Sequence, residues 1–311
     1  MMTSIYFPPC RRKDMKKGAY LLFIILLSSS ISGCTGEVEK EEDMSGADLS
    51  YADMSDRDLS YVNLSAANLT GADLTGANLT GANLTGANLT GANLRGAGLG
   101  GADLRYTWLT GADLTGADLR RADLSVAWLN GANLTGADLT GASLGGANLY
   151  DANLTGADLT YAHLRYANLY EADLTYAILY DAYLRYAYLR YADLGRAALM
   201  NADLTGADLR HSTLYFADLS NTNLTGADLS DTILYSADLR YSDLSDANLS
   251  GANLSGADMH RADLNNANLT GADLTDTDLS YADLSGTIWY GTICPDGTNS
   301  DDNGNTCENN L

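Results

Sequence analysis

The chain reads as an all-β protein: a coil of very short extended segments with four sides. Three observations carry this. First, every fifth residue from Leu49 to Leu284 is Leu or Met, with no slip of phase. A helix at 3.6 residues per turn would scatter these residues around its axis, and a continuous strand needs period two. Second, Ala and Leu stand two apart in each unit, as in Ala72-Asp73-Leu74-Thr75-Gly76, so a short extended stretch turns both to one face and the Asp or Asn between them to the other. Third, rare residues recur at a spacing of twenty. Trp108 and Trp128 do so, as do Tyr150 and Tyr170, Tyr166 and Tyr186, Tyr215 and Tyr235, and Arg165 and Arg185. In the slot usually held by Ala, Ser212 and Thr232 share this spacing, as do Thr222 and Ser242. Twenty residues is four units, hence four sides. Duplication of a twenty-residue block would leave the same mark.

Within each unit the two residues after Leu are drawn mostly from Ser, Thr, Gly, Arg and Tyr, and Gly and Ser suit a corner. No single unit could bury its Leu; stacked units can. The array from Ala47 to Gly286 resembles the pentapeptide repeat proteins, with their Ala-(Asp/Asn)-Leu-x-x consensus. That resemblance implies a right-handed quadrilateral β-helix of about twelve coils, with Leu and Ala inward. At ~4.8 Å per coil the rod would be roughly 58 Å long. Met54 and Met259 are the only centres that are not Leu. No Pro lies between Pro9 and Pro295, as an uninterrupted ladder requires. Arg57 falls in an inward slot, which predicts a first coil that is splayed or capped.

The N-terminus carries a different signal. Lys16 and Lys17 precede an apolar run from Ala19 to Leu27, followed by Ser28, Ser29 and Ser30. This is the plan of a secretory signal peptide over residues 1–33, with Met15 a plausible true start. The run is shorter than the ~20 residues a membrane span needs. It ends in Ile31-Ser32-Gly33-Cys34, which resembles the bacterial lipoprotein box. The resemblance implies cleavage before Cys34 and lipid on that cysteine. Two or three acyl chains anchor a protein stably where one does not. Thr35 follows Cys34, which, by resemblance to enterobacterial sorting, favours the outer over the inner membrane. Residues 34–46 then form a short acidic tether.

Residues 287–311 are expected to cap the coil. The repeat is broken after Leu284, and Trp289 and Tyr290 are placed to cover the apolar end. With Cys34 lipidated, Cys294 and Cys307 are the remaining cysteines of an exported chain, which points to a disulfide. Asp296, Asp301 and Asp302 make the tail rich in the oxygen ligands that suit calcium. Their spacing departs from the EF-hand loop, and a solvated polar loop is the simpler reading, with no metal and no cofactor.

The formal net charge is -22. Residues 1–33 hold five of the 18 Lys and Arg and one of the 40 Asp and Glu, so the mature chain stands near -26. Nucleic acid binding is excluded by this balance, because phosphate neutralisation needs basic patches. On a four-sided coil Asp243, Asp263 and Asp283 share one outward column. Neighbours ~4.8 Å apart repel by roughly 0.9 kcal/mol in water.

One region departs from the acidic background. Tyr150, Tyr161, Tyr166, Tyr170, Tyr176, Tyr180, Tyr183, Tyr186, Tyr188 and Tyr191 crowd into a short stretch, with Arg165, Arg185, Arg190 and Arg196 among them. All occupy slots predicted to face out. Tyr and Arg are enriched at binding hot spots. The candidate interaction patch is Tyr150, Arg165, Tyr166, Tyr170, Tyr183, Arg185, Tyr186, Tyr188, Arg190 and Tyr191. Self-association, a protein partner or a glycan would fit it. So would a ladder that merely steadies stacked coils.

No catalytic constellation is legible. His163, His211 and His260 fall on different columns, and the many carboxylates belong to the repeat. The sequence therefore points to a non-enzymatic lipoprotein of the bacterial envelope. Its partners would be a membrane, through Cys34, and a protein or a second copy of itself. The alternative comes from the family: some cytosolic pentapeptide repeat proteins are acidic rods that mimic duplex DNA and bind DNA gyrase.

Overall fold

A computed structural model describes residues 43–307. The signal peptide, the Cys34 lipid site and most of the tether lie outside the described residues.

Residues twenty apart pair in parallel along the whole array, from Asp43↔Asn63 to Asp273↔Ile293. Each turn of the coil is therefore four pentapeptides, one per side. Most units satisfy their backbone by the same rules. The Leu74 amide donates to the Asn93 carbonyl (2.7 Å), and the Asn93 amide donates to the Ala72 carbonyl (2.9 Å). The Gly76 amide donates to the Arg95 carbonyl (2.9 Å), and the Ala77 amide turns back to the Leu74 carbonyl (3.0 Å). That leaves the Thr75 amide, which donates to Asp73 Oδ1 (3.0 Å). The Asp or Asn of the repeat is thus a local acceptor that completes the corner, which is why short polar side chains recur there.

The corner demands a left-handed residue. Gly76 has φ 64°, and the equivalent position is positive in every unit through Gly291, including those that carry Tyr, Arg or Asp. Val126, at φ 60°, is the costliest of these, since a β-branched residue in this region is an outlier.

Leu and Ala fill the interior; the centres from Leu64 through Leu274, Met259 included, are fully buried. Where Ser or Thr takes the Ala slot, its hydroxyl is satisfied inside. Thr222 Oγ1 and Ser212 Oγ each donate to the carbonyl of the Leu three residues before, both at 2.6 Å.

Both ends differ from expectation. The coil geometry extends past Ala47 and Gly286. Met44 packs as a first centre, Trp289 is a buried centre past Gly286, and Cys294 fills the next one. The first coil is not splayed at Arg57. Its carbonyl accepts from the Asn78 amide at 2.8 Å, and the side chain is only half-buried because no coil precedes it among the described residues. At the C-terminal end Trp289 is buried, with Cys294 beyond it, while Tyr290 is 68% exposed. The cause is the pentapeptide phase, which puts Trp289 at a centre and Tyr290 at a corner.

A short 3-10 helix, Ser300–Asn303, folds back over Trp289. Ser300 is fully buried; its Oγ donates to the Trp289 carbonyl and accepts from the Thr292 amide. Cys294 and Cys307 are joined in a disulfide that closes this cap.

Candidate functional site

Stacking at twenty-residue intervals sorts the outward side chains into columns. One flat face carries Trp108, Trp128, Asn148, Asn168 and Tyr188 as successive rungs. The corner on one side of it carries Arg165, Tyr166, Arg185 and Tyr186. The corner on the other carries Tyr150, Tyr170, Arg190 and Tyr191. Tyr183 stands on the next face, beyond the Arg165 corner, above His163. The ten candidate residues thus form one surface of two adjacent faces, the corner between them and the corner beyond the Trp108–Tyr188 face. Tyr161, Tyr176 and Tyr180 project from other corners and lie outside it.

The rings form ladders. Tyr166 and Tyr186 stack with centroids 5.4 Å apart, Tyr150 and Tyr170 at 5.7 Å, and His163 and Tyr183 at 4.7 Å. Tyr191 stacks on His211 at 5.0 Å and meets Tyr170 edge-on. The Arg165 guanidinium sits 4.9 Å from the Tyr166 centroid, and Arg190 stands at the same distance from Tyr191. Such pairs contribute about 0.5–1 kcal/mol at exposed sites, so part of the Tyr–Arg enrichment is spent on stabilising the coil. The outer edges remain accessible: Tyr188 is 52% exposed and Tyr166 48%.

The arginines of the coil are used in two ways. Arg105, Arg120, Arg210 and Arg240 each grip the Asp two residues before and reach the Asp of the next coil. These bonds hold Asp103, Asp118 and Asp208 below the usual carboxylate range. Among the described residues, Arg165 and Arg190 make no ion pair and rest on tyrosine rings instead. Arg185 lies 3.8 Å from Asp203. The Tyr150 hydroxyl donates to Glu171 Oε2 (3.0 Å), and this bond to a carboxylate raises its pKa.

Sequence reasoning missed four members of this surface: Tyr106, Trp108, Val126 and Trp128. All are exposed, and Trp108 and Trp128 stack at 5.3 Å. Their numbers differ from Tyr186 or Tyr188 by multiples of twenty, so the period could have gathered them.

The acidic column from Asp243 through Asp263 to Asp283 is present. Hydrogen bonds from Ser285 hold Asp283 low, so it stays ionised. In the tail, Asp301 Oδ1 accepts the Gly291 amide (2.8 Å), and Asp296 Oδ1 accepts the Thr298 amide (2.9 Å). Among the described residues no group of three His, Cys, Asp or Glu side chains is arranged to hold a metal. The three histidines are likewise apart: His163 on Tyr183, His211 beside Asp231 at 3.7 Å, and His260 against Ser280 at 2.7 Å.

A left-handed corner at every fifth residue, a Leu–Ala interior and a four-unit turn define a four-sided β-solenoid built from five-residue repeats. The profile of the family described as "Pentapeptide repeats" matches in eight copies over residues 58–288. The chain belongs to this family, whose members are right-handed quadrilateral β-helices. Among solved structures it is similar to HetL, a pentapeptide repeat protein involved in heterocyst differentiation regulation from the cyanobacterium Nostoc sp. strain PCC 7120. The identity is 35%, over 79% of this chain and 92% of that one, with a TM-score of 0.29. It is also similar to a trypsin-treated variant of QnrB1, a plasmid-mediated fluoroquinolone resistance protein. There the identity is 22%, over 61% of this chain and 89% of that one, with a TM-score of 0.36. A pentapeptide repeat protein from the Arabidopsis thaliana thylakoid lumen is 33% identical over 40% of this chain and 67% of its own, at a TM-score of 0.16. No curated protein matches the chain.

Proposed function

We propose that the protein is a non-enzymatic interaction scaffold of the bacterial envelope, held by lipid on Cys34 and presenting the Tyr–Arg–Trp surface to a partner. The observation that carries this is the gathering of exposed aromatic and arginine side chains onto two adjacent faces of a rigid acidic coil. A backbone bonded coil to coil at each rung holds such a surface in shape, which lowers the ordering cost of binding. The motif Ile31-Ser32-Gly33-Cys34 supports the anchor, and Thr35 supports the outer membrane.

Metabolic labelling with palmitate tests the anchor. Wild type is expected to take up label and sediment with membranes, and Cys34→Ala to do neither. An unlabelled wild-type protein that fractionates with cytosol would overturn the envelope reading and return the gyrase-binding alternative. A catalytic rate abolished by changing one carboxylate would overturn the non-enzymatic one.

A further inference from the structure

We infer that the partner seated on the flat Trp108–Tyr188 face is a second copy of this chain, the two coils lying parallel about a two-fold axis that runs along them. The inference rests on the scaffold reading above and names its partner.

Its ground is the composition of the strip. From the Trp108 rung to the Tyr188 rung are four ladder steps, about 19 Å at ~4.8 Å each. Over this length the face and its two corners carry only two acids, Asp151 and Glu171, in a chain with 40. It is therefore a surface on which two such acidic rods are not driven apart by their charge.

The ladders argue against a sugar. Each stacked ring turns a face toward its neighbour along the coil, as Trp108 does toward Trp128 at an interplanar angle of 15°. What points outward is a row of ring edges at the coil pitch. A second copy offers the same row at the same pitch.

The two corners are complementary under this symmetry. A two-fold axis along the coils sets the Tyr106–Tyr186 corner of one copy against the Gly111–Tyr191 corner of the other, coil by coil. Tyr106 then faces the partner's Gly111, and Val126 faces the partner's Gly131. Gly145 and Gly146 leave room for the partner's Tyr150. Arg165, which has no ion pair within its own chain among the described residues, meets the partner's Glu171. Arg185 meets the partner's Arg190, a like-charge contact that Asp203, 3.8 Å from Arg185, offsets. Bulk opposes glycine on three coils, and opposite charges meet on a fourth.

Parallel alignment also suits an anchor at Cys34. Cys34 precedes the first coil in the sequence of both copies, so one membrane can hold both. The strip is smaller than the ~800 Å² per partner of a standard interface. Confinement to one membrane raises the effective concentration and makes up for this.

The test is thiol cross-linking of the full-length lipidated protein in cell membranes with a short bis-maleimide. Asn148→Cys and Asn168→Cys lie on the face, on the two-fold axis, and each is expected to cross-link to itself. Asn153→Cys, on the adjacent face, is expected to yield at least tenfold less dimer. Adding Trp128→Ser and Tyr188→Ser to Asn148→Cys is expected to reduce its dimer by a similar factor, while leaving palmitate on Cys34. Equal dimer from Asn153→Cys would overturn the inference. Dimer from only one of Asn148→Cys and Asn168→Cys would mean antiparallel rods and would overturn the stated symmetry. A cross-link to a protein of different mass, or no product from a labelled, membrane-bound protein, would overturn the second copy while leaving the anchored scaffold intact.

Discussion

Gly206 and Gly226 occupy the same corner column on successive coils, with φ values of 64° and 63°. Replacing either by Ala imposes the same left-handed strain, about 1–2 kcal/mol, less about 0.4–1 kcal/mol from the stiffer unfolded chain. Their neighbours differ. A Cβ on Gly226 would meet nothing within 4 Å, whereas one on Gly206 would lie 2.6 Å from Tyr186 Cε1 and 2.7 Å from its Cδ1. Tyr186 would have to swing away. It would then lose its stack on Tyr166, worth about 0.5–1.5 kcal/mol, and its contact with Arg185, worth about 0.5–1 kcal/mol. Gly206→Ala should therefore cost about 1–2.5 kcal/mol more than Gly226→Ala. Urea denaturation followed by far-ultraviolet circular dichroism measures both. In a Tyr186→Ser background the two glycine substitutions should cost the same. Equal costs in the wild-type background, or a gap that survives in Tyr186→Ser, would refute the reasoning. The same packing explains why Gly71 follows Tyr51 and Gly81 follows Tyr61 one coil on: each ring lies where the next Cβ would be.

Other outcomes follow from the same geometry. Replacing Cys294 and Cys307 by Ser should destabilise the cap by about 3 kcal/mol, seen as faster exchange of the Ser300 amide, which donates to the Thr292 carbonyl, with the central coils unchanged. Thr222→Val should cost about 0.5–1.5 kcal/mol, since it removes a buried hydroxyl bonded to the Leu219 carbonyl, while Thr222→Ala should restore the consensus interior and cost no more than this in thermal melts. Asp118 is held low chiefly by its hydrogen bond from Arg120. A folded pKa below the unfolded ~3.9 gives stability that is present above that value and lost as pH falls through the folded pKa; in Arg120→Gln, acid titration of stability should be shallower and carboxyl NMR should show Asp118 titrating higher. The Tyr150 hydroxyl is raised by its bond to Glu171, so its share of stability is present below the unfolded pKa near ~10 and lost as pH rises through the folded one. The difference in tyrosinate absorbance between wild type and Tyr150→Phe should shift to lower pH in Glu171→Gln.

The sequence by itself determined the interior and the course of the backbone. Leu74 and Ala72 can only be inward, because an extended unit with a two-residue corner gives them one shared face, and the unbroken phase repeats that geometry. The spacing of Trp108 and Trp128 pointed to four sides but would also follow from duplication of a twenty-residue block; the parallel pairing of residues twenty apart decides for four sides. The sequence did not show why Asp73 is needed, because the acceptor role of Oδ1 toward the Thr75 amide exists only once the corner is formed. Nor did it show that Trp289 continues the coil, since Trp does not look like the Leu it replaces. The surface belonged to the tertiary structure. Tyr150 and Tyr188 are distant in sequence yet share one surface, while Tyr176 and Tyr180, which lie between them, turn elsewhere. Neighbourhood on a solenoid follows position modulo the turn, and only the closed coil, with its parallel pairs twenty residues apart, converts chain order into faces.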